Sequence, residues 1–102
     1  MTLLEFVLKE YLSIVKLLEK RYGVEKERII VEKEEFKQLL EEYPYIGFKA
    51  KTRLYKDMNL IIHDKTSYTI PYKDKELKKA VRKVAINYKT YQTIKFFHHQ
   101  KM

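Results

Sequence analysis

The chain has 102 residues, 45% hydrophobic and 35% charged, with a formal net charge of +8; that predicts one domain, 1–102, with a modest core. It holds no cysteine, which excludes disulfides, thiol chemistry and Cys-based zinc sites. Two glycines and two prolines leave no flexible linker or low-complexity tract, and there is no internal repeat.

Residues 2–22 predict a helix. Leu4, Val7, Leu8, Tyr11, Ile14 or Val15, Leu18 and Tyr22 recur at helical spacing, and Thr2 with Glu5 forms a capping box. Gly23 stands where such a helix ends. Leu3, Phe6, Leu12 and Leu17 widen the apolar face beyond what a small core covers, so a homodimer contact through this helix is expected. The start of the chain lacks a basic leader and carries Glu5 and Glu10, which argues against a signal peptide. No apolar run is as long as a membrane span. A cytoplasmic protein with no membrane partner is the expectation.

Residues 28–32, RIIVE, read as a short strand, although periodicity alone leaves a helical continuation open. Residues 33–43 predict a second helix with Phe36, Leu39, Leu40 and Tyr43 as its stripe, stopped by Pro44. Tyr43 to Gly47 is then a turn into a third helix, 48–59. That helix has two faces. Phe48, Lys51, Leu54 or Tyr55, and Met58 fall on one side; Lys49, Thr52, Arg53 and Lys56 fall on the other.

Residues 60–72 predict a hairpin whose arms are Leu60–Ile62 and Tyr68–Ile70, with His63, Lys65, Thr66 and Ser67 at its polar tip. Residues 74–97 predict a long last helix, N-capped by Asp74. Its inner stripe is Leu77, Ala80, Val81, Val84, Tyr88 and Tyr91, and Lys75, Lys78, Lys79, Arg82, Lys83 and Lys89 lie outside. The ending FFHHQKM is a frayed terminus or a partner contact.

Charge is segregated along this order. Residues 1–47 hold 8 Lys+Arg and 10 Asp+Glu, a net of −2; residues 48–102 hold 14 and 4, a net of +10. A positive field confined to one half is the footprint of a polyanion binder, and solubility alone gives no reason for the segregation. A lone basic helix is more often a solvated surface element. Here it follows a Pro/Gly turn and precedes a hairpin, a helix-turn-helix pattern.

The order helix, short strand, helix, turn, helix, hairpin, helix resembles the winged helix-turn-helix domain over residues 2 to about 90. The fold implied is α+β and mainly helical. By that resemblance the helix after the turn enters a DNA major groove through Lys49, Thr52, Arg53, Lys56 and Asn59, while the wing carries His63, Lys65, Thr66 and Ser67. Lys78 and Arg82 would add phosphate contacts from the last helix. Tyr45-Ile46-Gly47-Phe48 makes an aromatic-rich entry to the third helix, which would leave it fewer exposed residues and shift binding towards the wing and last helix. Length, lysine content and element order are also similar to the winged-helix accessory proteins of clostridial conjugative plasmids. That resemblance implies binding at a transfer origin, with a relaxase or other transfer protein as partner.

Competing readings are a phage or plasmid protein-interaction module, a transcriptional repressor of the same fold, and an RNA binder stacking bases on tyrosines. Catalysis is not expected. His98 and His99 are adjacent, His63 stands alone, and no glycine-rich phosphate loop or nucleophile motif is present. No metal or cofactor is expected either.

Overall fold

The computed structural model describes residues 2–100. Among them are four helices and four strands, in the order α1 (Leu3–Tyr22), β1 (Arg28–Val31), α2 (Lys33–Glu41), α3 (Phe48–Asp57), β2 (Ile61–Ile62), β3 (Ile70–Asp74), β4 (Lys79–Asn87) and α4 (Tyr88–Gln100). The domain is α+β, with the helices packed around a small antiparallel sheet. No described helix is long and apolar enough to cross a membrane.

Helix α1 forms as its sequence predicts. The Thr2 hydroxyl accepts the Glu5 amide at 3.2 Å, and Gly23 closes the helix with φ at +72° while its N–H donates to Glu19 O. Val7, Tyr11, Ile14, Val15 and Leu18 are buried, whereas Leu3, Leu4, Phe6 and Leu17 remain exposed. The excess apolar width of α1 is therefore uncovered in the single chain.

Strand β4 organises the sheet. Its second half pairs with β1 (Val31↔Val84, Ile29↔Ile86) and with β2 (Ile61↔Ile86, Ile62↔Ala85); its first half pairs with β3 from Ile70↔Lys83 to Asp74↔Lys79. Ile29, Val31, Ile61, Val84 and Ile86 are buried against helices that contribute Tyr11, Leu18, Phe36, Leu40 and Tyr55.

This arrangement corrects two expectations. Residues 74–97 are not one helix: Asp74 ends β3, Lys75–Lys78 turn, β4 runs to Asn87, and only then does α4 begin. The stripe of Leu77, Ala80, Val81, Val84 and Tyr88 satisfies a helical period by coincidence. What decides is that a four-residue β1 cannot stand without a partner. The β-branched Val81, Val84 and Ile86 supply that partner, and Asn87 then starts α4 by accepting the Thr90 amide at 3.2 Å.

The arms predicted for the 60–72 hairpin do not pair with each other either. Ile61, Ile62 and Ile70 pair with β4 instead, and residues 63–69, with Tyr68 and Thr69 of the expected second arm, are the loop between. The hairpin is β3–β4, with its turn at 75–78. Asp74 is not a helix cap but shapes that turn: its Oδ1 accepts the amides of Glu76 (2.8 Å) and Leu77 (3.1 Å), and Lys78 takes φ of +55° to return the chain. Helices α2 and α3 each end two residues earlier than predicted, and Tyr43 lies outside the α2 stripe, exposed.

Candidate nucleic-acid interface

Helix α3 docks by the face that its period assigns to the core. Tyr55 is fully buried, Phe48, Leu54 and Met58 pack partly buried against the core, and Lys51 is buried with them. The Lys51 ammonium lies 2.6 Å from Glu10 Oε2 of α1 and also donates to the carbonyls of Leu40, near the end of α2, and of Tyr43, in the turn after it. Glu10 Oε1 accepts the hydroxyls of Tyr45 and Tyr55, each at 2.8 Å. Burial, together with the neighbouring Glu10 carboxylate, raises both tyrosines well above the usual phenol value.

On the opposite face Lys49 and Arg53 are exposed and Lys56 is half-buried. Thr52 departs from expectation. It is buried, and its hydroxyl donates to Lys49 O at 2.9 Å, so it is turned back onto the helix rather than outward. Asn59 lies just past α3, exposed, with φ of +56°; its carbonyl accepts Asn87 Nδ2 at 3.0 Å. It belongs to the turn that ends the helix, not to the helix face.

The loop 63–69 docks through the apolar side of α3. The Tyr68 ring stacks on Phe36 at 6.2 Å and meets Phe48 edge-on at 5.6 Å, which docks the loop on α2 and on the start of α3. Lys65 and Thr66 are exposed on it. His63 Nδ1 is 2.8 Å from Asp64 O, and the Ser67 hydroxyl is 2.8 Å from Thr69 Oγ1. His63 and Ser67 thus shape the loop.

Arg82 sits on β4, not on a helix. Its guanidinium bonds Asp64 Oδ2 at 2.6 Å, Thr69 O at 2.6 Å and Thr69 Oγ1 at 3.0 Å. It clamps the loop to the sheet while its side chain stays 42% exposed. Residues alternate across strand faces, so register places Arg82, Ala80, Pro71 and Lys73 on the hairpin face continuous with the core-facing Val84 and Ile86. All four are exposed.

The β3–β4 hairpin carries Lys78, which the sequence puts in the site, and three further exposed lysines that it does not. From Lys73 to Ala80 every residue except Asp74 is exposed, including Lys73, Lys75, Lys78 and Lys79. Lys73 had no role in the sequence reading; Lys75 and Lys79 were placed on a helix. The alternation Ile70, Tyr72 and Val81, Lys83 around an Asp-led turn was the available signal for this hairpin. Lys83 is not part of the exposed set: it is 2.8 Å from Glu32 and 3.6 Å from Asp74, and these partners raise its pKa.

The exposed cations of the basic half thus lie on α3, on the docked loop and on the hairpin, with Lys89 and Lys95 exposed on α4 besides. Among the described residues no three His, Asp or Glu side chains converge as a metal site. His99, in the C-terminal tail, falls among the residues whose side chains lie outside the described set. No protein-family model matches the chain, and no curated protein matches it.

Proposed function

We propose that this protein binds double-stranded DNA in a sequence-selective manner, as a winged helix-turn-helix domain whose recognition helix is α3 and whose wing is the β3–β4 hairpin. The observation that carries the reading is the placement of charge. Lys49 and Arg53 stand exposed on the outer face of a helix whose inner face is fully engaged, and Lys73, Lys75, Lys78 and Lys79 stand on the hairpin. Two elements with exposed cations suit a duplex: one lies in the major groove, the other follows the backbone or the minor groove. Since α3 offers few free side chains, the wing contributes the larger share of phosphate contacts. Lys65 and Thr66, exposed on the 63–69 loop, add to the surface.

Arg53 is the base-reading candidate on α3; Thr52 is withdrawn from that role because it is buried. The lysines set affinity through counterion release. The biological role we favour is an accessory factor at a plasmid transfer origin, bound as a homodimer, with a relaxase or related transfer protein as partner. Repression of a promoter uses the same surface at a different DNA site. A protein-contact role is compatible with DNA binding, and the exposed Leu3, Leu4, Phe6, Phe96 and Phe97 favour it.

Fluorescence anisotropy with a random duplex and with duplexes from the flanks of the gene, across a salt series, tests the proposal. A steep salt slope with one fragment preferred about 10³-fold or more supports sequence-selective binding. A steep slope without preference supports an architectural role, and no binding at low salt discards the reading.

A further inference from the structure

Apolar contacts through Phe48, Leu54, Tyr55 and Met58 already give α3 a core-facing side. Yet the same face carries a charged group, and the group is completely engaged. Lys51 uses its three N–H bonds on Glu10, on Leu40 O and on Tyr43 O, and its ammonium lies 4.3 Å from the centre of the Tyr45 ring. Glu10 accepts from Lys51, Tyr45 and Tyr55. These contacts join α1, the end of α2, the turn and α3 at one point.

Burying an ammonium and a carboxylate costs several kcal/mol per ion, and their attraction offsets this only in good geometry, so such a pair adds little net stability over an apolar filling. What it adds is direction. Hydrogen bonds weaken steeply with distance and angle, whereas apolar side chains slide over one another at little cost.

We propose that the Glu10–Lys51–Tyr45–Tyr55 network is a positioning device for DNA recognition: it selects one angle between α2 and α3, and so fixes where Lys49 and Arg53 stand relative to the wing. The inference rests on the DNA-binding reading above. Neither member of the ion pair contacts DNA, since each side chain is 1% exposed. The network acts on selectivity rather than on affinity for DNA at large, because Lys73, Lys75, Lys78 and Lys79 lie on another element.

The test uses the full chain and a duplex that the wild-type protein enriches from a randomised pool. In one variant the network becomes apolar, Glu10→Met, Lys51→Met, Tyr45→Phe and Tyr55→Phe together; a second carries only Tyr45→Phe and Tyr55→Phe and keeps the ion pair. Affinities are compared for the selected and the random duplex well below the melting temperature of each variant. The expected result is that random-duplex affinity and salt slope stay at wild-type values while preference for the selected duplex falls, by about tenfold or more in the quadruple variant. The double variant falls less. Should the quadruple variant fail to fold, the double variant decides.

Preference held within about twofold of wild type overturns the proposal, as does a parallel loss on both duplexes, which would mark the network as purely structural. A wild-type chain that enriches no duplex removes the DNA reading itself, and this is seen before any variant is compared.

Discussion

Lys51 of α3 and Glu10 of α1, 41 positions apart in sequence, meet at 2.6 Å with both side chains 1% exposed. A lysine on the basic helix, which composition alone counts among solvent-facing cations, is thereby withdrawn into the core. Breaking the pair on one side leaves the other charge buried without a counterion. Lys51→Ala or Glu10→Ala is therefore expected to destabilise the fold by about 3–5 kcal/mol. Urea unfolding followed by far-UV circular dichroism measures this. A loss under about 1 kcal/mol would mean that water reaches the pair.

Alkaline pH acts on the same network. Desolvation by burial, with Glu10 beside it, raises the Tyr55 pKa, and desolvation likewise raises that of Tyr11, whose hydroxyl donates to Asn87 O at 2.7 Å. A group that keeps its proton in the folded state but loses it near 10 when unfolded contributes stability that is full below that pH. The contribution is lost as pH rises beyond it. Phenolate absorbance near 295 nm is expected to include a late phase in which Tyr11 and Tyr55 ionise together with loss of helical signal. A single phase complete before any unfolding would contradict this.

The sequence carried the first sixty residues well. Helix α1, its cap and Gly23, the strand at Arg28, and the Pro44 stop are local signals, and local signals survive folding. Even Lys51 fell on the core side by period alone, although nothing in the sequence named Glu10 as its partner. The second half failed where pairing is non-local. Residues 79–87 carry lysine, arginine and alanine, good helix formers, at an accidental helical spacing. Only the need of β1 and β2 for a common neighbour makes them a strand. That misreading moved Lys78 from a helix to a turn, and Arg82 from open solvent to a clamp on Asp64 and Thr69. Thr52 was lost for another reason: a threonine hydroxyl on a helix readily turns back to a carbonyl of its own helix.

The Arg82 clamp predicts an asymmetry between its two ends. Asp64 contributes an exposed ion pair, so Asp64→Ala should cost less than about 1 kcal/mol. Arg82 also holds the carbonyl and hydroxyl of Thr69, which is buried, so Arg82→Ala should cost about 1–3 kcal/mol. Amide exchange at residues 64–69 should quicken in the Arg82 variant and stay near wild type in the Asp64 variant. Equal costs would reduce the clamp to its surface ion pair.

The β3–β4 turn responds to acid. The amides of Leu77 and Glu76, and to a lesser degree Lys83, hold the Asp74 carboxyl below the usual carboxylate range. A depressed folded pKa stabilises the turn above the unfolded value, and this is lost as pH falls through the folded one. Amide resonances of Glu76 and Leu77 should therefore shift together below about pH 4 in wild type. In Asp74→Asn, which keeps an acceptor without the charge, they should not. The same titration seen in both proteins would assign the shift to another group.

Arg53 and Lys78 separate the two layers of the proposed DNA contact. Arg53 is exposed on α3, where a planar guanidinium can bond a guanine edge through two donors at once. Lys78 is exposed at the hairpin turn, and in the proposed contact its ammonium meets phosphates. Arg53→Ala should cost about 1–3 kcal/mol on a selected duplex and much less on random DNA, relaxing preference. Lys78→Ala should weaken every duplex alike and lower the salt slope by about one contact. Since Lys78 already holds a positive φ that alanine tolerates no better, the substitution changes charge without relieving the turn. Anisotropy titrations at two salt concentrations read both effects. If the two substitutions behave alike on selected and random DNA, α3 does not read sequence.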